Sequence, residues 1–332
     1  MKKRILTGIK PTGYAHLGNY FGAIKPAIEL SNNSSYEAFY FIADYHALTT
    51  LKNKAEMQEY FYNIACTWLA CGLDPEKVVF YRQSDVPEIF ELNWILNNVT
   101  PKGLMNRAHA YKAIVEKNEE KNLDHDYGVN MGLYNYPILM ASDILMFNSD
   151  LVPVGLDQKQ HIEIARDIAT NFNKKYGEIF KLPEEYIEKN FAVLVGLDGR
   201  KMSKSYNNTI QLFTTEDVLR KTINKIVTDS KLPGEPKPLD STVNKLYKLF
   251  ANPDKQVEFE KKLSQGLAWG EAKKQLFELV NDYIKPMREK YFYYQEHHDV
   301  VDKILTIGAE KARAIAKENI QKVRDKIGVE TI

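Results

Sequence analysis

Short strand-forming runs alternate with amphipathic helical stretches through the first two hundred residues, and this alternation leaves few folds open to the chain. Residues 4–8 read as a buried strand, followed by a turn at Pro11 and Gly13 and a helix from about Gly18 to Leu30. Residues 36–43 form a second strand, dense in aromatic side chains. Asn53 is placed to cap a helix whose inner face is Met57, Phe61, Ile64, Ala65 and Trp68, closed by Gly72. A third strand follows at 78–81, and Pro87 suits the first turn of the next helix. This order predicts an α/β fold, a Rossmann-like doubly wound parallel sheet whose ligands gather beyond the C-terminal ends of its strands.

The pattern then loosens. Residues 116–128 are charged, Asn-rich and aperiodic, which predicts a mobile surface loop. A helix is expected over 131–147, a strand over 151–154, a helix over 157–172 and a last strand over 192–195. Past Asn207 the periodicity is helical throughout, with Pro233, Pro236 and Pro238 marking one connector. Two domains are therefore expected, 1–207 around the sheet and 208–332 all-helical.

Net charge is +1 over 332 residues, but it is unevenly spread. Residues 1–200 hold 21 Lys and Arg against 25 Asp and Glu, and residues 201–332 hold 24 against 19. That skew suits a second domain that meets an anionic polymer. Cys66 and Cys71 stand at i, i+5 on one predicted helix, and no second cysteine pair exists for a metal site. Both read as reduced packing residues of a cytoplasmic protein. No apolar run reaches membrane-spanning length.

Three segments carry chemistry. Pro11-Thr12-Gly13-Tyr14-Ala15-His16-Leu17-Gly18-Asn19 follows the first strand. Its glycines let a nucleotide approach the backbone, and His16 and Asn19 can donate to phosphate or ribose. Lys201-Met202-Ser203-Lys204-Ser205 supplies two ammonium groups suited to phosphate oxygens. In the third, Val152 to His161, Asp157 can cap a helix or accept a ribose hydroxyl, and Gln158 can hold a small amphoteric ligand. Tyr136, Met140 and Asp143 fall at i, i+4, i+7, on one helix face.

Together with Ala43-Asp44-Tyr45-His46-Ala47-Leu48-Thr49 and Tyr136-Pro137-Ile138-Leu139-Met140-Ala141-Ser142-Asp143-Ile144-Leu145, these segments resemble the class I aminoacyl-tRNA synthetases, and within them the bacterial-type tryptophanyl enzymes. The resemblance spans essentially the whole chain. It implies that the tryptophan carboxylate attacks the α-phosphate of Mg·ATP, giving tryptophanyl-adenylate and pyrophosphate. The amino acid then passes to the 2′-hydroxyl of the terminal adenosine of tRNA(Trp). Catalysis would be positioning and charge stabilisation, with Lys201 and Lys204 following the β- and γ-phosphates and Lys204 nearest the transferred bond.

The resemblance further assigns ATP to Lys10, Pro11, Thr12, Gly18, Asn19, Gly155, Leu156, Asp157, Val193 and residues 201–205, with Mg²⁺ held through the phosphates and no protein metal ligand. It gives tryptophan to Asp143, which accepts the indole N–H, to Met140 against the ring, and to Tyr136 and Gln158 at the α-amino group. Leu6, Val152 and Val154 would line the pocket, and His46 is matched by motif, either as a ligand contact or as a structural histidine. It implies a homodimer, an anticodon reader near 208–295 and a last helix docked on the first domain. Lys10 replaces a common glutamine, and Lys112 is the nearest counterpart of a phosphate-gripping lysine. A tyrosyl-tRNA synthetase, a nucleotidyltransferase of the same superfamily and a non-catalytic paralogue that senses tryptophan or binds RNA remain open at this point.

Overall fold

The computed structural model describes residues 2–155, 158–187 and 194–329. Strand β1 (Lys3–Ile9) leads through the glycine turn into α1 (Leu17–Asn19), a π-helical segment (Tyr20–Ile24) and α2 (Lys25–Ser31). Then come β2 (Tyr36–Ile42), α3 (Asp44–Ala47), α4 (Lys54–Ala70) and β3 (Val78–Arg82), the last followed by a 3-10 turn, Gln83–Asp85. Helices α5 (Glu88–Asn97), α6 (Lys102–Met105), α7 (His109–Glu120) and α8 (Met131–Met146) precede β4 (Leu151–Pro153), α9 (Lys159–Tyr176) and β5 (Glu184–Tyr186). The rest is helical: a 3-10 turn at Lys204–Tyr206, α10 (Glu216–Asn224), α11 (Thr242–Phe250), α12 (Pro253–Ser264), α13 (Trp269–Glu296) and α14 (His298–Ile327).

The five strands are all parallel, in the order β3-β2-β1-β4-β5. Alternation along β2 divides the core between the two faces. Ala38, Tyr40 and Ile42 pack with Phe61, Ile64 and Trp68 of α4, while Phe39 and Phe41 pack with Ile138 and Ile144 of α8 and Ile162 and Ile168 of α9. Trp68 is fully buried, and truncating a core tryptophan to alanine costs about 3–5 kcal/mol. The first core runs on into the helical part through Leu276, Val280 and Ile284 of α13.

Helix α14 turns back along the outer edge of β3. Gly308 sits so close to the Phe80 carbonyl that an added methyl would collide with the strand backbone. Arg313 holds Glu88 at 2.9 Å, Arg324 grips Glu91, and the Asn319 amide donates to the Met146 carbonyl at 2.8 Å.

Two expectations need correction, and a third lies partly outside the described residues. The helix over 18–30 is interrupted by the π-helical segment. Residues 116–120 end helix α7, and the buried Asn118 donates to the carbonyls of His125 and Tyr127, tying down the turn that follows. The chain's hydrophilic character hid an ordered turn whose polar groups satisfy one another. Strand 192–195 falls partly outside the described residues; Val195 instead makes an isolated antiparallel bridge to Lys201. The fifth strand is Glu184–Tyr186, three residues on a sheet edge, where no apolar alternation is needed.

Candidate active site

The phosphate-handling segments meet at the C-terminal end of β1. Gly13 takes φ = 104°, and a Cβ there would lie 3.1 Å from Lys204 Nζ, so glycine admits the lysine both conformationally and sterically. Lys204 Nζ donates to the Thr12 carbonyl at 3.0 Å. His16 caps α1: its Nδ1 accepts from Asn19 N–H at 3.3 Å and Asn19 Oδ1 accepts from His16 N–H at 3.1 Å. This reciprocal pair is built from histidine and asparagine. The segment is laced to the chain beyond the lysine loop by Leu17 N–H to Ile210 O and Leu212 N–H to Ala15 O, both 2.9 Å.

Asn208 shapes the lysine loop. It accepts from Ser203 N–H at 2.8 Å and donates to Asp198 Oδ1 at 2.7 Å and to the Lys201 carbonyl at 3.1 Å. Met202 is buried in the core, which leaves Lys201, Ser203, Lys204 and Ser205 facing outward or half-buried. Among the described residues, Lys10, Lys201 and Lys204 form no ion pair. Burial pushes the Lys10 and Lys204 ammonium groups below their usual range. Burial, and then the charge of Lys204, bring His16 down to about 4, so it is neutral at pH 7.

The second cluster centres on Asp143 of α8, 1% exposed. His46 Nε2 stands 2.9 Å from its Oδ2, and Gln83 Nε2 donates to Oδ1 at 2.8 Å and Oδ2 at 3.0 Å. Burial raises the Asp143 carboxyl, and the hydrogen bonds from His46 and Gln83 oppose that rise. Asp44 clamps the neighbouring turn by accepting from Ser84 N–H at 3.1 Å and Ser84 Oγ–H at 2.5 Å. Tyr136 pairs with His161 Nε2 at 3.0 Å. Met140 and Val154 are partly buried beside this core, whereas Leu6 and Val152 lie wholly within it. Gln158 precedes α9 directly, and its N–H donates to the Gly155 carbonyl at 2.9 Å; Leu156, Asp157 and Val193 lie outside the described residues.

A relay of hydrogen bonds, bridged by the covalent chain of Thr12, Lys10 and His46, runs between the two clusters. Lys204 reaches Thr12 O, Thr12 N–H donates to Lys10 O at 2.9 Å, and Lys10 Nζ donates to Thr49 Oγ1 at 3.2 Å. Thr49 Oγ1–H donates to His46 O at 2.8 Å, and His46 meets Asp143. Basic loop and buried carboxylate thus border the same end of the sheet. Sequence reasoning missed two members. Gln83, 0% exposed, carries no motif, and its only sign was its place at the C-terminal end of β3. His161 ends the third motif without a role of its own in the sequence, yet it is buried and pairs with the Tyr136 hydroxyl.

Known proteins with this architecture fit the geometry. A sequence model of the family described as tRNA synthetases class I (W and Y) matches residues 1–285. A tryptophan–tRNA ligase of Neisseria meningitidis is 53% identical over 99% of this chain and 98% of its own length. One from Pseudomonas aeruginosa is 53% identical over 100% of this chain and 75% of its own. The crystal structure of Campylobacter jejuni tryptophanyl-tRNA synthetase, complexed with ADP and tryptophan, superposes with a TM-score of 0.91 at 46% identity, covering 98% of this chain and 99% of that one. The chain belongs to the class I tRNA synthetases of the tryptophan and tyrosine type.

Proposed function

We propose that this chain is a tryptophan–tRNA ligase, which activates L-tryptophan with Mg·ATP and transfers it to the 2′-hydroxyl of the terminal adenosine of tRNA(Trp). The observation that carries the reading is Asp143, a buried carboxylate oriented by His46 and Gln83 at the same end of the sheet as Lys204. A buried acceptor of this kind selects a ring N–H, because a ligand without one leaves the carboxylate unpaired. Tyr136, held by His161, and Gln158 take the α-amino group, and Met140 packs the indole. Val154 lines the pocket, with Leu6 and Val152 supporting it from the core.

The nucleotide is bound by Lys10, Pro11, Thr12, Gly18, Asn19 and Gly155, and Leu156, Asp157 and Val193 are assigned to ATP with them. Lys201 and Lys204 stabilise charge on the departing pyrophosphate, with Ser203, Ser205 and the backbone of Met202 beside them. His16, neutral at pH 7, donates one ring N–H without adding charge. Magnesium enters as part of the Mg·ATP substrate. Residues 1–207 form the catalytic domain and 208–332 the tRNA-binding domain, with α14 docked on β3. The chain works as a homodimer.

Tryptophan-dependent exchange of pyrophosphate into ATP, run beside tyrosine, tests the reading. Exchange driven by tyrosine instead, or tryptophan binding with no exchange at all, overturns it.

A further inference from the structure

Helix α14 grips the three elements around the Asp143 cluster. On β3, Gly308 lies against the Phe80 carbonyl, shortly before Gln83 in the chain, and a Cβ would forbid that approach. On α5, the Arg313 guanidinium donates through Nε and Nη2 to Glu88 Oε1 at 3.1 and 2.9 Å. Glu88, 8% exposed, opens α5 just after the turn Gln83–Asp85, which Val86 N–H closes onto the Gln83 carbonyl at 3.1 Å. One turn further along α5, Arg324 holds both oxygens of Glu91. On α8, the Asn319 amide donates at 2.8 Å to the carbonyl of Met146, the last residue of the helix that carries Asp143.

Carbonyls at a helix C-terminus have no partner within their own helix, so the buried Asn319 fixes an end that would otherwise be free. Charge-assisted, forked bonds such as Arg313 to Glu88 restrict geometry as well as add energy. Gln83 and Asp143 stand 60 residues apart, and their bond needs the end of β3 and the last turn of α8 at a fixed separation. Ala309, Ala312 and Ala316 of α14 share one core with Tyr81, Ile144 and Phe147, which lets the helix backbone come close to both elements. The phosphate end is tied differently, through Leu17 N–H to Ile210 O and Leu212 N–H to Ala15 O.

We infer that α14 sets the distance between Gln83 and Asp143, with Arg313 and Asn319 as positioning residues for tryptophan recognition. A recognition group is only as selective as the shell that holds it, and a small displacement costs discrimination. The inference rests on the ligase reading and adds to it that the last helix takes part in choosing the amino acid.

Two variants test it: Asn319→Leu, and Glu88→Gln combined with Arg313→Met, which removes the ion pair without stranding a buried charge. Pyrophosphate exchange is measured with tryptophan, and the benzothienyl analogue, in which sulfur replaces the ring N–H, serves as competing inhibitor. In each variant the KM for tryptophan should rise about tenfold, with the KM for ATP and kcat held within about twofold. Preference for tryptophan over the analogue should narrow by about threefold or more, because the N–H acceptor is no longer held in place. Added to Gln83→Leu, either change should bring little further loss, since both act through the same amide. An unchanged preference, whatever the melting temperature, overturns the inference, as do equal rises in both KM values or losses that add fully to Gln83→Leu. Should Asn319→Leu fail to fold, the paired variant decides. Absence of tryptophan-dependent exchange in the unaltered protein instead overturns the ligase reading, so the two failures are distinct.

Discussion

The phosphate end and the carboxylate end of the relay solve opposite problems. Around Lys204 the cations are left without counter-charges, half in solvent, and the Gly13 turn, the Thr12 carbonyl and the Asn208 side chain fix their approach. Around Asp143 every oxygen is already engaged and solvent is excluded. One end waits for charge to arrive; the other is set before the ligand comes. Binding energy at the first end is realised as the transition state develops, whereas at the second it is spent on choosing the side chain.

The sharpest way to break this contrast is Lys204→Ala. It should lower the rate of pyrophosphate exchange by about 10²–10³-fold, the usual cost of removing one charge-stabilising donor, while tryptophan affinity by calorimetry stays within a factor of two. If affinity falls as far as rate, the two ends are not separable.

His16 comes next. Its folded pKa of about 4 lies below the unfolded value of 6.5, so the folded state binds fewer protons between those limits. Its contribution to stability is complete above pH 6.5 and is lost as pH falls toward 4. The difference is on the order of 3 kcal/mol from the two pKa values. Urea melts at pH 7.5 and 4.5 should show a larger loss in the unaltered protein than in His16→Asn, which keeps a capping acceptor.

Asp143→Ala should weaken tryptophan binding by about 2–3 kcal/mol, since the imidazole of His46 and the amide of Gln83 lose their acceptor along with the ligand. The KM for ATP should hold. The smallest effect is expected from Gln83→Leu, about tenfold in the KM for tryptophan, or roughly 1.4 kcal/mol. Equal movement of both substrates' KM in that variant would mean that Gln83 supports the sheet end as a whole.

The same contrast explains what could be read from the chain. The phosphate end is carried by local segments with fixed turn chemistry, so Gly13, His16 and Lys204 were visible in order along the sequence. Asp143 was visible through its helical spacing with Tyr136 and Met140. Gln83 was not, because its role is created by β3 and α8 coming together across 60 residues. His161 is similar, a lone histidine on an apolar helix face until Tyr136 arrives. Strand β5 escaped because three residues at a sheet edge need no hydrophobic alternation, and the ordered turn after α7 because Asn118 satisfies it from within.

Gly308 against Phe80 carries a consequence for how the protein is made. Strand β3 emerges early in synthesis, but the helix that shields its open side is translated more than two hundred residues later. Until then every motif for adenylate formation has left the ribosome while one flank of the sheet stays available to other nascent chains. A stalled or clipped product ending before residue 298 would therefore hold Lys204 and Asp143 and still be prone to stick to its neighbours.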